Sequence, residues 1–256
     1  MARFIISCGG TGGHLSPGIS LAEGLHARGH EAILLISQKK VDSRLSEKYP
    51  HLRFERMPGS GFGLNPVTLA KCVVSQTAAL RFCLRLMRRE KPAGVIGFGG
   101  FTSAPVVLAG RLLGVPVALH ESNRVPGLAI RTLGRFAKRV YLPPGIKIAG
   151  IRSGVTRHVG LPVRSEIVRH SQAAARTALG LDPERRVLAI LGGSQGASPL
   201  NDWVTAHLER LAADDIQLYV VTGMGKSREG VFTHPGKFGA PVKSIFVPFS
   251  DRMSEV

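Results

Sequence analysis

A histidine closes a run of glycines near the start of this chain, where Gly9-Gly10-Thr11-Gly12-Gly13-His14 follows the apolar stretch Arg3–Ser7. An imidazole titrates near neutrality and can take a proton from a hydroxyl, while glycines let backbone N–H groups come close to an anion. Two more corners of this kind follow apolar runs. Gly94–Phe98 leads into Gly99-Gly100-Phe101-Thr102-Ser103, and Val187–Leu191 leads into Gly192-Gly193-Ser194-Gln195-Gly196. A helix after each corner offers the positive end of its dipole to an anion. Three such corners point to a site built for phosphates. For His14 the residues alone leave two readings open, a proton acceptor or a helix-capping, packing ring.

A fourth group, His120-Glu121-Ser122-Asn123, ends the apolar run Val115–His120, and Pro126-Gly127 then turns the chain. Glu121 and Asn123 could grip sugar hydroxyls or cap the helix that follows. Position 124 is Arg124, so no HExxH metal pattern forms. Other motifs fail on their spacing. No G-x-G-x-x-G can be drawn through Gly9–Leu15, and the second apolar run ends in Ile36-Ser37-Gln38 without an acid to hold a ribose. Gly225-Lys226-Ser227 mimics the end of a phosphate-binding loop, but position 220 is Val220 where its first glycine belongs. The third corner does fit the nucleophile-elbow pattern around Ser194, with Asp214, Asp215 and His234 in a usable order. A hydrolase would leave the other corners and the basic first part without a task.

That basic part is lopsided. Through Leu161 the chain carries 23 Lys and Arg against 7 Asp and Glu; from Pro162 onward the count is 11 against 10. Nearly all of the net charge of +17 therefore lies in the first part and calls for an anionic partner. Aromatic residues make up only 6%, and no stacking stripe or nucleic-acid module accompanies the charge, so lipid or phosphate is favoured over nucleic acid. Cys8, Cys72 and Cys83 form no CxxC pair and read as reduced thiols in a cytoplasmic protein. No apolar run reaches the ~18 residues of a membrane span, and a strand that starts within a few residues of Met1 leaves no room for a signal peptide.

Strands must alternate with helices to place these corners. Strands are expected at Arg3–Ser7, Glu31–Ile36, Gly94–Phe98, Val115–His120 and Arg139–Leu142, with helices at Pro17–Arg28, Leu69–Glu90 and Ala104–Leu113. Around Gly160-Leu161-Pro162 the pattern breaks. A second series follows, with strands at Val187–Leu191, Ile216–Thr222 and Ser244–Val247 and a helix at Leu200–Ala212. The expectation is an α/β protein of two Rossmann-like domains, 1–161 and 162–256, the second incomplete because three strands are few for a doubly wound domain. A truncated version of a longer protein is expected. In Leu69–Lys91 one apolar helical face runs through Leu69, Val73, Leu80, Leu84 and Met87, beside a basic stripe of Arg81, Arg85, Arg88 and Arg89. Such a helix could pack on the sheet or lie on an anionic bilayer.

Taken together, Gly9–His14, Gly97–Pro105, His120–Gly127, Gly160–Arg164 and Gly192–Ala197, with a weaker match at Pro248–Met253, resemble the MurG family in that family's order. These bacterial glycosyltransferases add N-acetylglucosamine to undecaprenyl-diphospho-muramoyl-pentapeptide, and the resemblance implies the GT-B fold, two domains facing across a cleft, with no metal and no resident cofactor. It implies His14 as the general base. It implies donor contacts, to UDP-N-acetylglucosamine, at Thr11, Gly12, Gly13, Asn123, Arg164, Ser194 and Ser250, and acceptor or cleft positions at Gly99, Gly100, Phe101, Ser103, His120 and Glu121. The implied partners are UDP-N-acetylglucosamine, the lipid-linked acceptor lipid I and an anionic inner-membrane surface, with the enzyme peripheral on the cytoplasmic side. Another GT-B enzyme, such as an epimerase or a transferase with a soluble acceptor, or a non-catalytic membrane-binding fragment, are the alternatives. Three positions depart from the family's habit: Phe101 for tyrosine, Leu161 for asparagine and Ser122 for glutamine. Family members continue beyond Val256 with a segment whose glutamate grips the donor ribose.

Overall fold

Short runs of branched apolar residues, each followed by a glycine turn and a helix-length segment, fold as repeated βα units. The computed structural model describes residues 1–59, 65–193, 196–225 and 229–256. The chain divides into two compact units, Met1–Ser165 and Glu166–Val256.

The first unit runs β1 (Arg3–Ser7), α1 (Gly12–His26), β2 (Glu31–Ile36), α2 (Lys40–Glu47), β3 (Arg53–Arg56), α3 (Pro66–Glu90), β4 (Gly94–Gly97), α4 (Ser103–Leu112), β5 (Val117–His120), α5 (Leu128–Leu133), β6 (Arg139–Leu142) and β7 (Thr156–His158). Its strands form one parallel sheet in the order β3-β2-β1-β4-β5-β6-β7 among the described residues. Ile5, Ile33, Leu35, Val95, Leu119 and Val140 of the strands pack with Cys83, Leu86 and Met87 of α3 and Val106 and Val107 of α4.

Two expectations shift here. The first helix starts at Gly12, not near Ser16-Pro17, so Gly12, Gly13 and His14 form its first turn and Pro17 lies inside it. Pro17 has no N–H, so the Gly13 carbonyl lacks its usual helical donor, and packing holds the turn instead. On α3 the expected apolar face is buried only toward its C-terminal end, where Met87 is in the core and Leu80 and Leu84 pack against it. Cys72, Ala79, Cys83, Leu86 and Met87 are buried, whereas Leu69 and Val73 are exposed.

The second unit runs α6 (Gln172–Ala178), β8 (Arg186–Leu191), α7 (Ser198–Ala213), β9 (Ile216–Val221), β10 (Gly230–Pro235) and β11 (Pro241–Val247). Its sheet has four strands among the described residues, one more than expected, in the order β10-β11-β9-β8. The additional strand, β10, lies antiparallel at the edge against β11. Val204 and Leu208 of α7 pack on Ile190, Leu218, Val220 and Phe246.

Candidate active site

In a parallel sheet a ligand sits beyond the carboxyl ends of the strands, where the strand order reverses. Here β1 lies between β2 and β4, and the first two glycine corners leave from the reversal at β1 and β4. They are tied together. The Thr102 hydroxyl donates to the Gly9 carbonyl at 3.1 Å. Phe101 covers Gly10 so closely that a Cβ there would stand 3.3 Å from ring atom Cε1.

His14 completes the junction. A Cβ on Gly99 would come within 3.4 Å of its Nε2, and one on Gly100 within 3.3 Å of its Cε1. Both glycines also have positive φ, 100° and 69°, so the backbone favours glycine, and a Cβ at either would press on the imidazole. The Thr11 hydroxyl lies 3.3 Å from Nδ1. In the tautomer where Nδ1 donates to Thr11, Nε2 is the basic nitrogen, and Nε2 faces Gly99. Burial pushes the His14 pKa below its ordinary value; Glu121 and Asp42 pull it up and Lys39 pushes it down. The ring is therefore neutral at pH 7, the form a general base needs.

Because the Thr11 hydroxyl turns to His14, it makes no cap bond to α1. The amides of Gly12 and Gly13, in the first helical turn, are thus left for an anion. Gly10 is different: its N–H donates to Asp42 Oδ2 at 2.8 Å, and its carbonyl accepts from Lys39 Nζ at 3.0 Å. Sequence reasoning missed Asp42 and Lys39. The only signal was an acid five residues after Ser37, on a short polar helix.

Gly99, Gly100, Phe101, Glu121 and Asn123 line, with His14, one cavity of about 920 Å³. Its far wall is apolar, made by Leu69, Val73 and Leu80 of α3, Leu108 of α4, and Leu128 and Leu133 of α5. The other predicted residues support the site or stand apart from it. Glu121 is buried and accepts from the Asn123 backbone and side chain at 2.8 Å each, and from the Gly127 N–H at 2.7 Å. Its carboxylate thereby shapes the loop into α5, whose N-cap, Gly127, itself makes no side-chain cap bond. The buried Ser103 hydroxyl accepts from Gly99 N and donates to Gly99 O, bracing the second corner from behind. His120 packs on Phe98 with centroids 5.1 Å apart. Burial lowers its pKa, and the Gly160 backbone partly opposes this although, among the described residues, no well-formed hydrogen bond reaches either ring nitrogen.

Arg164 is buried in the first unit and donates to the Tyr49 hydroxyl at 2.7 Å. Ser250 is buried in the second, 3.0 Å from the Tyr219 hydroxyl. Neither residue is among those that line the cavity around His14. Ser194 lies outside the described residues. In its corner the Gly192 N–H donates to Val221 O and the Gly196 N–H to Gly193 O, so those two amides, expected to face a diphosphate, are already engaged.

Residues 4–142 match the N-terminal domain of glycosyltransferase family 28, and residues 187–256 match its C-terminal domain. The chain belongs to this family. A UDP-N-acetylglucosamine--N-acetylmuramyl-(pentapeptide) pyrophosphoryl-undecaprenol N-acetylglucosamine transferase of Opitutus terrae is 56% identical over the whole chain, which spans 68% of that protein. A relative of the same description in Paenarthrobacter aurescens is 34% identical over 87% of the chain, and the match spans 60% of its length. The crystal structure of Acinetobacter baumannii MurG superposes with a TM-score of 0.64 at 24% identity, covering 100% of this chain and 72% of that one. The expected GT-B class thus holds for family 28 in this chain, which has a seven-stranded sheet in one unit and a smaller one in the other.

Proposed function

We propose that this chain carries the reaction of an inverting hexosyltransferase of peptidoglycan synthesis. N-acetylglucosamine moves from UDP-N-acetylglucosamine to the C4 hydroxyl of the muramoyl sugar of lipid I, giving lipid II. One observation carries this reading: in a family 28 chain, a neutral imidazole lies over the second glycine corner at the reversal of the sheet.

The acceptor's C4 oxygen attacks the anomeric carbon on the face opposite UDP. The bond from that carbon to the diphosphate oxygen breaks, UDP departs with the electron pair, and the hydroxyl proton passes to His14. The Gly12 and Gly13 amides and the α1 dipole hold phosphate charge near the imidazole. Gly99, Gly100 and Phe101 border the acceptor, and Asn123, exposed on the cavity rim, meets sugar hydroxyls. Ser194 is assigned to the donor through the family resemblance. Arg164 and Ser250 act through the packing they hold.

The apolar wall gives the acceptor's lipid a place to leave the site. Leu69, Val73, Val74, Leu108, Leu112 and Leu128 are exposed on α3, α4 and α5, with Lys71, Arg81, Arg85 and Arg111 exposed on the same helices. No helix among the described residues is long and apolar enough to cross a membrane. We read this surface as resting on an anionic leaflet, which places the protein peripherally on the cytoplasmic face of the inner membrane.

The test is transfer of radiolabelled N-acetylglucosamine from UDP to a short-chain lipid I analogue. Label on the lipid-linked disaccharide supports the reading. Transfer only to soluble sugars, or epimerisation of the donor, overturns it.

A further inference from the structure

Asp42 is fully buried although its side chain is a carboxylic acid. Its Oδ2 accepts three hydrogen bonds, from Gly10 N at 2.8 Å, Ser37 N at 2.9 Å and Ser37 Oγ at 2.6 Å. Its Oδ1, equally buried, accepts none among the described residues. Were Asp42 only a tie between two corners, an asparagine would accept the same three bonds with less desolvation cost. A half-used carboxylate beneath a loop suited to anions needs a further reason. The nearby group that gains positive charge during the proposed reaction is His14.

We propose that Asp42 is a positioning residue of this site: it fixes the Gly9–Gly10 corner against the corner between β2 and α2, and it balances the imidazolium formed when His14 takes the acceptor's proton. This deepens the proposed function and rests on His14 as the proton acceptor. The Thr11 hydroxyl touches the His14 ring at Nδ1, and three charged groups act on it through space: Asp42 from α2, Lys39 from the turn before α2, and Glu121 from the loop after β5. Glu121 is held by three donors of its own loop, and Lys39 is fastened to the Gly10 carbonyl. Asp42 therefore joins the two functions, because the oxygen that pins Gly10 belongs to the carboxylate whose charge favours the protonated ring. The proton moves from the hydroxyl to His14 Nε2 and is not passed on to Asp42.

Nitrogen-15 NMR of the imidazoles tests this without sugar transfer, so failure of the transfer reading and failure of this inference are separate results. His14 is assigned by the resonance lost in His14→Gln. Asp42→Asn is expected to lower the His14 titration midpoint and Lys39→Gln to raise it, each with cooperative thermal unfolding retained. An unmoved midpoint in a folded Asp42→Asn overturns the proposal. If that variant does not fold, Ser37→Ala decides, since it keeps the charge and removes one tie. The midpoint should then hold while the Gly10 amide exchanges about tenfold faster or more, and unchanged exchange overturns the proposal. In a transfer assay Asp42→Asn should lower kcat while donor KM stays within about twofold.

Discussion

His14 does its work on a narrow margin. Burial favours the neutral ring, and two carboxylates keep it basic enough to accept a proton. Burial holds its pKa below the ordinary 6.5, so the active neutral form persists as pH falls to that lowered value, and the acid limb of kcat/KM should lie below pH 6.5. A limb above 6.5 would assign the proton transfer elsewhere. Replacing His14 with alanine should lower kcat by roughly 10²–10⁴-fold with little change in donor affinity by calorimetry. Near-normal turnover would remove His14 from the chemistry. The type and spacing of residues 9–14 made this imidazole visible in the sequence. The environment that tunes it was not, because Asp42 reaches Gly10 across 32 residues of chain through a fold contact that no local pattern encodes. The same blind spot covers Glu121 and Ser103: the sequence left sugar contact or capping open for Glu121, and the family resemblance gave Ser103 as a cleft position, but no local pattern told that their oxygens bond backbone groups at Asn123, Gly127 and Gly99.

The strand-to-helix corners were the most legible elements, since glycine and branched apolar runs announce them directly. Less legible were the short polar helix α2, β3 with its Arg-Phe-Glu-Arg composition and the edge strand β10, whose places depend on neighbours rather than on periodicity. At the second corner a matched pair of glycines separates backbone strain from contact with the imidazole. Gly100 and Gly114 share a φ of 69°, but a Cβ on Gly100 meets His14 whereas one on Gly114 meets nothing within 4 Å. Each alanine variant should lose about 1–2 kcal/mol of stability from the left-handed backbone. Only Gly100→Ala should also displace the ring and depress sugar transfer; equal activity in the two would place His14 elsewhere. At the other end of the sheet, Glu90 of α3 meets Arg3 of β1, Arg53 of β3 and Arg89 at 2.8–2.9 Å. The hydrogen bond from Arg53 does most to hold its carboxyl down to about 2, against the effect of burial. A depressed carboxylate pKa stabilises the fold above its unfolded value of 4.5, and that contribution is lost as pH falls toward about 2. Since the arginines are 33–63% exposed, Glu90→Gln should cost about 1–2 kcal/mol at pH 7, measured by urea unfolding, and flatten the pH dependence of stability between 4.5 and 2.

At the scale of the whole molecule, charge and apolar exposure coincide. The excess of Lys and Arg falls in the first part of the chain, and the unit it forms also exposes branched side chains at the mouth of its cavity. Periodicity located the helix and put Leu69 and Val73 on its apolar face but left open whether that face packs on the sheet or meets a bilayer, because the local pattern cannot tell a buried stripe from one facing a lipid. In the N-terminal part of α3 the buried positions are the smaller residues Cys72 and Ala79, while Leu69 and Val73 face outward; Cys83, Leu86 and Met87 carry the core further along. If that outward surface rests on a bilayer, its removal should separate adhesion from stability. Val73 and Val74 are 59% and 71% exposed, so replacing both with glutamate should change unfolding free energy by no more than about 0.5 kcal/mol each. Sedimentation with phosphatidylglycerol vesicles should nevertheless fall sharply, through loss of apolar contact and repulsion between the new carboxylates and the anionic headgroups. The unaltered chain should also release from those vesicles as salt rises, because exposed arginines are screened beyond ~10 Å at 0.1 M ionic strength. Retained binding by the double variant would mean that another surface meets the membrane and that the apolar cavity opens onto water.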